Sequence, residues 1–250
     1  MKKTILILSA AISLSSCQEN KSGAFTVSGK IEHAPAQKIF LQELPFGGEQ
    51  PVILDSGTLT PNGIFELHAM GKEEGLYRLV IENGPDVLLV NDAKNIKLNM
   101  DVSNYRSYKI DGSPASESLH VLFEDYRKKD SILYAVFMQI DTLQKQKATD
   151  SVLTMVRLER DNQIKQMNKM VADFIKVSPS PAARYYALGM VSRTMPPEEV
   201  AMLANASADK FKEHSGLAKI KSLLAVQKPA APVNPLLNQP APEINLPDEW

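Results

Sequence analysis

Cysteine and tryptophan are nearly missing from this chain: each occurs once in 250 residues. A lone thiol excludes an intrachain disulfide and dithiol exchange within this sequence. It also excludes a zinc site built from cysteines. An excess of charge is missing too, with 28 basic residues against 29 acidic ones. That balance argues against a polyanionic ligand, so nucleic acid is not an expected partner. Beyond residue 12 no apolar run approaches the roughly 18 residues of a membrane-spanning helix. The Gly-x-Ser-x-Gly turn of hydrolases and the Gly-rich phosphate loop are absent. The four histidines, His33, His68, His120 and His214, hold no pair at metal-ligand spacing. Their expected places are surfaces and helix caps. No catalytic residue, metal or cofactor is expected.

The single cysteine is informative through its position. Met1-Lys2-Lys3 is a short positive segment, and residues 5–12 are apolar but too short to span a bilayer. Small residues follow, and the order is that of a secretory signal peptide over residues 1–16. Leu14-Ser15-Ser16-Cys17 resembles the bacterial lipobox. There a peptidase recognises the residues at positions like Leu14, Ser15 and Ser16 and cuts before a cysteine that carries diacylglycerol. Two or three acyl chains, at about 0.8 kcal/mol per buried methylene, make a stable anchor where one does not. The resemblance implies a chain held to a membrane of the cell envelope through Cys17. The outer membrane, facing the periplasm, is favoured over the cell surface. Removal of residues 1–16 takes Lys2 and Lys3 with it and leaves 26 basic residues against 29 acidic ones. Residues 17–24, polar and small, read as a lipidated tether.

From residue 25 to 112 the apolar period is two. Phe25, Val27 and Ile31 alternate with polar neighbours, and short runs follow at 39–41, 52–54, 64–67, 76–81, 87–90, 96–100 and 108–110. Turn signals separate them: Gly47-Gly48, Pro61-Asn62-Gly63, Asn83-Gly84-Pro85 and Asn91-Asp92. This spacing predicts an antiparallel β-sandwich or open barrel. At Gly112-Ser113-Pro114 the period changes. Ser113 is a helix cap and Pro114 suits the first turn, where no N–H is needed. Apolar residues then recur at helical spacing to 143 and, after a polar break at 144–150, again to 174. The pattern predicts a long antiparallel helix hairpin inside a helical domain over 113–226. Ser178-Pro179-Ser180-Pro181 starts a third helix, and Pro196-Pro197-Glu198-Glu199 a fourth, with two short pieces after it. The fold class is therefore α+β. Residues 227–243 hold five prolines and read as a linker.

Two stretches together resemble a known arrangement. The first is Phe25-x-x-x-Gly29-x-Ile31, Ile39-Phe40-Leu41, Asp55-Ser56, Gly63-Ile64-Phe65, Tyr77-x-Leu79 and Ile110-x-Gly112-Ser113 ahead of a helix. It resembles the N-terminal β domain of unknown function in Bacteroidetes-type lipoproteins of the thiol–disulfide interchange group. The second is Gln239-Pro240-Ala241-Pro242-Glu243-Ile244-Asn245-Leu246-Pro247-Asp248. It is similar to the "G-x-x-A-P-x-F-x-L-x-D" opening of a thioredoxin-like or peroxiredoxin-like domain. In that family a W-C-x-x-C active site follows, whereas this sequence stops at Trp250 with Cys17 as its sole cysteine. Residues 244–250 are accordingly expected to be the start of a missing thioredoxin-like domain. The resemblance implies a non-catalytic, lipid-anchored region of an envelope thiol–disulfide interchange protein. It would position the redox domain and engage a protein client or a dimer partner. The alternative is a stand-alone envelope lipoprotein that binds a glycan, a peptide or a protein.

The remaining clusters read as structural. Asn91-Asp92-x-x-Asn95 with Asp101 and Asn104 lacks the register of a calcium loop and reads as a turn. Asp125/Lys129 and Glu159/Gln163 sit four apart on solvated helix faces. Met155, Met167 and Met170 fall on the apolar stripe and are expected in the core. Arg184-Tyr185-Tyr186 is expected to pack helices together.

Overall fold

The structure, a computed structural model, describes residues 23–34 and 37–227. Leu14, Ser15, Ser16, Cys17, most of the Pro-rich segment and residues 244–250 lie outside the described residues. Eight strands come first: β1 (Gly23–Glu32), β2 (Lys38–Leu44), β3 (Val52–Thr58), β4 (Ile64–Gly71), β5 (Leu76–Ile81), β6 (Asp86–Val90), β7 (Asn95–Asp101) and β8 (Lys109–Asp111). Five α-helices follow: α1 (Pro114–Lys145), α2 (Asp150–Val177), α3 (Pro181–Val191), α4 (Pro197–Lys210) and α5 (Ser215–Gln227). The α+β expectation holds. The two short pieces foreseen near the end are one helix, α5.

The strands form two four-stranded sheets, in the orders β4-β1-β7-β8 and β3-β2-β5-β6. Their inner faces enclose one core, with Val27, Leu41, Leu79, Ile96 and Leu98 fully buried at its centre. The sheets do not close into a barrel. Five of the strand pairings are antiparallel, but β1 and β7 run parallel, from Thr26 opposite Asn95 to Glu32 opposite Asp101. The reason is the connection. After β6 the chain crosses from one sheet to the other through residues 91–94 and enters beside β1 from the same end. The alternating pattern of β7 is that of any half-exposed strand, so periodicity carried no sign of its direction.

The residues of the sequence resemblance turn out to build this frame. Gly29 has φ +151°, and a Cβ there would overlap the carbonyl oxygen of Leu98 across the parallel pair. Asp55 Oδ1 accepts from Ser56 N–H at 2.8 Å and its Oδ2 from His68 N–H at 2.7 Å, which ties β3 to β4 where the two sheets meet. Tyr77 packs edge-on against Phe25 with ring centroids 4.8 Å apart.

Ser113 caps α1, its Oγ accepting from Ser116 N–H at 3.2 Å, and Pro114 occupies the first turn. A second core joins the start of β5 and the end of β6 to the helices, with Leu76, Val90, Leu119, Val171, Ala187 and Leu217 buried in it. That core reaches Tyr126 on α1 and Met170 on α2 and no further along the hairpin. Beyond it, apart from Asn168, which is hydrogen-bonded to Thr194, the two helices rest on each other, through a narrow seam of Val136, Ile140, Leu153 and Met167. Here the expectation for Met155 fails. Met167 is buried and Met170 half-buried, but Met155 is 69% exposed, because this part of α2 has nothing but α1 to lie against.

Candidate functional site

Three places in the molecule carry organised polar or apolar chemistry. The first is the joint between the β domain and the helices. The turn between β4 and β5, Lys72-Glu73-Glu74-Gly75, inserts among the helix ends. Glu73 caps α5: its Oε2 accepts from Ser215 N–H at 2.9 Å and its Oε1 from the Ser215 hydroxyl. Glu74, 4% exposed, receives the hydroxyl of Ser180, which itself caps α3 by accepting from Ala183 N–H at 3.0 Å. Asn91 clasps the same turn, accepting from Gly75 N–H at 2.6 Å and donating to Glu73 O at 3.0 Å. Asp92 accepts from Ala115 N–H at 2.8 Å and from the Ser113 hydroxyl, and Ser116 Oγ accepts from Val90 N–H at 2.8 Å. The expected turn at Asn91-Asp92 is therefore also the anchor of α1.

Arg184 closes the other side. Its Nε donates to Ser178 O at 2.7 Å and its Nη2 to Lys176 O at 2.8 Å, so a buried guanidinium satisfies carbonyls at the end of α2. Tyr185 and Tyr186 pack edge-on against Phe46 and Phe123, at 4.6 and 5.4 Å between centroids, as a helix-packing reading expects. His214 completes the joint. Its Nδ1 accepts from Leu217 N–H at 3.2 Å, which places the ring proton on Nε2 for donation to Glu74 O at 3.0 Å. Burial lowers its pKa, against the opposing charge of Glu73 and the Glu74 carbonyl. A neutral imidazole fixed as one tautomer between two backbone groups is a structural peg, with no free nitrogen for catalysis.

The second place is the open end of the sandwich. Lys30, Glu32, His33, Ala34, Pro61, Asn62 and Gly63 border an open cavity of about 450 Å³. A second, of about 310 Å³, shares Lys30 and Glu32 and is bordered by Asn99, Asp101, Ser107 and Lys109. His33 Nδ1 lies 2.7 Å from Asp101 Oδ1, and that hydrogen bond, then the charge of Asp101, raises the His33 pKa. The pair resembles half of a hydrolytic triad. Asp101, however, also accepts from Ser103 N–H at 2.8 Å as the cap of a short helix, and among the described residues no serine, threonine or cysteine lines the cavity beside His33. It extends the β1–β7 ladder by one more tie. Among the described residues no group of three His, Cys, Asp or Glu side chains could hold a metal ion.

The third place is the distal hairpin, residues 127–169. Ile132, Tyr134, Phe137, Met138, Met155 and Leu158 are all exposed on it. Its charges pair locally, as in Lys145–Asp141 at 2.6 Å and Lys128–Asp125 at 2.9 Å. Asp125 thus pairs with the residue three ahead rather than with Lys129, while Gln163 donates to Glu159 at 2.6 Å as expected. No helix among the described residues is long and apolar enough to cross a membrane.

Sequence reasoning missed the joint. Glu73, Glu74, Asn91 and Asp92 lie in turns, and partners 106 to 142 residues away for the two glutamates and 16 to 23 away for Asn91 and Asp92 give no local signal. The available hint was a paired acid before Gly75 and a Ser-Pro-Ser-Pro run, each a cap awaiting a partner.

Residues 25–119 match the family model described as Domain of unknown function (DUF4369). The match begins two residues into β1, covers β2 to β8 and ends in the second turn of α1. A comparison with curated proteins found no match.

Proposed function

We propose that this chain is the non-catalytic, lipid-anchored region of an envelope thiol–disulfide interchange protein, in which it holds a thioredoxin-like domain at the membrane and engages that domain's client. The observation that carries the reading is the family match at residues 25–119, standing directly behind a lipobox-like Leu14-Ser15-Ser16-Cys17. The joint supports it. Caps and clasps lock the β domain to the helices, and a buried arginine ties the end of α2 to α3, as a spacer needs in order to transmit position rather than flex. Buried His214 also fits a non-catalytic role, since both its ring nitrogens are committed to backbone groups.

The alternative, a free-standing envelope binding module, draws on the exposed apolar residues of the hairpin. A protein partner fits that surface better than a glycan does. The outward side chains of the β4-β1-β7-β8 sheet, Thr26, Ser28, Lys30, Glu66, His68, Lys97 and Asn99, include no Phe, Tyr or Trp ring on which a sugar could stack.

One measurement tests the anchor that both readings share, and a second separates them. Cys17→Ser should move the protein from the membrane fraction to the soluble one, and an unmodified Cys17 thiol in the mature protein would refute the anchor. Immunoblotting of the native gene product with antibody raised to this chain should reveal a protein larger by a domain of about 100–150 residues. That product should take up two maleimides after reduction. A product of this chain's own mass, 27.6 kDa before processing, would favour the binding module.

A further inference from the structure

The distal hairpin has a face with no partner in this chain and a charge pattern that matches itself. We infer that this face is a two-fold, antiparallel docking site for a second copy of the same chain. On α1, residues Asp130, Tyr134, Phe137, Asp141 and Lys145 recur at intervals of three and four, and Met138 adjoins Phe137. At 100° per residue they fall within one strip about 100° wide, on the side away from the seam with α2. Tyr134, Phe137 and Met138 are 64%, 46% and 46% exposed.

The strip is self-complementary about the point midway between Phe137 and Met138. A two-fold axis there sets Phe137 against Met138 of the second copy. One step outward, each Tyr134 meets an Asp141 carboxylate, which its hydroxyl can bond. At the ends, each Asp130 meets a Lys145, about 22 Å apart along the helix. Among the described residues no ion pair involves Asp130. Lys145 reaches Asp141 within its own helix and is 74% exposed, so it can turn to a new partner. An apolar centre flanked by opposite charges is the pattern that selects register between helices. Parallel pairing in register would instead set Asp130 on Asp130 and Lys145 on Lys145.

The face is small. About 22 Å of a helix about 10 Å wide is roughly 220 Å² per partner, against about 800 Å² per partner in a standard complex. The dimer is accordingly weak in dilute solution and fills as local concentration rises, as it would on a membrane. Only that occupancy in the cell rests on the anchor proposed above; the geometry does not.

The test uses the full chain with Cys17→Ser, which leaves no thiol. One cysteine is then introduced at the axis, Met138→Cys, or at an exposed control position outside the strip, Val177→Cys. A short bis-maleimide added at high micromolar protein should bridge two copies through position 138 and leave 177 monomeric. Asp130→Lys alone, or Lys145→Asp alone, should cut the position-138 crosslink about tenfold, since two symmetric attractions become repulsions. The two changes together should restore it. Circular dichroism checks that each variant stays folded. Equal yields at 138 and 177 would overturn the docking site, and failure of the double variant to recover would overturn the register.

Discussion

The joint and the distal hairpin are built from the same helices, and they solve opposite problems. At the joint, polar groups are buried and each described partner is fixed: Ser180 on Glu74, His214 between Glu74 O and Leu217 N–H, Arg184 on the carbonyls of Lys176 and Ser178. On the hairpin, apolar groups are exposed, and a seam of a few side chains holds two helices of 32 and 28 residues together. Burying polar groups costs stability unless every bond is made, so the joint is specified and rigid. Exposing Phe137 or Leu158 costs little in the folded monomer but leaves surface for something else to cover. One end of the helical region is finished, and the other is available.

The largest effect that would break this contrast is at Arg184. Arg184→Met keeps most of the packing but strips donors from buried carbonyls at the end of α2. The loss should be about 3 kcal/mol, read as a lower urea midpoint, with the β domain and helices still unfolding together. A change below about 0.5 kcal/mol would mean that the joint is not held by this residue.

Next in size is Gly29→Ala, at about 2–3 kcal/mol, because the new Cβ must push β1 away from the Leu98 carbonyl or force a φ that L-residues avoid. This substitution tests the sheets rather than the joint. Urea denaturation should show the loss, and amide exchange should rise in β1 and β7 before it rises in α3. Equal stability to the parent chain would contradict the close parallel pairing.

These two residues also mark what could be read in advance. Gly29 was legible as part of the motif that carries the resemblance, although the carbonyl that requires it, Leu98, lies far along the chain. The eight strands, the Ser113 cap and the hairpin break were legible because each is a local pattern of period, cap or turn. The parallel direction of β7 was not legible, since alternation is identical in either direction. Arg184 was placed correctly as a packing residue, but its role as a cap on another helix depends on how α2 ends against α3, which no local pattern states. Met155 was misplaced for a related reason. Helical period tells which residues share a stripe; only the tertiary arrangement tells how far along the stripe a partner extends.

A titration separates the regions by sign. The folded-state pKa of His214 is lowered, chiefly by burial. Above its unfolded value of about 6.5 its contribution is complete. As pH falls below that, the unfolded chain takes up a proton that the folded chain refuses, and stability drops toward the lowered folded value. His33 at the open end has a raised folded pKa. Its contribution is complete below about 6.5 and fades as pH rises through the folded value. His214→Gln keeps a donor for Glu74 O and should flatten the acid loss of stability, while His33→Gln should not. Urea midpoints between pH 5 and 8 decide, and an unchanged acid slope in His214→Gln would show that the peg does not titrate.

The smallest expected effect sharpens the comparison most. Met155→Gln and Leu158→Gln together place two polar side chains where 69% and 64% of each residue already meets water. Neither side chain belongs to either core, so no cavity opens and no buried partner is lost. Gln is nearly as good a helix former as Met or Leu. The urea midpoint of dilute monomer should therefore stay within about 0.5 kcal/mol of the parent, although the same exchange at Val171 or Leu188, fully buried at the joint end, would cost several times as much. What should change is the surface: less binding of a hydrophobic dye. If the double substitution instead unfolds the hairpin or lowers the midpoint by more than about 1 kcal/mol, these residues are packed against something in the monomer. The distal hairpin would then be a finished surface like the joint, and its exposed residues would have no partner to wait for.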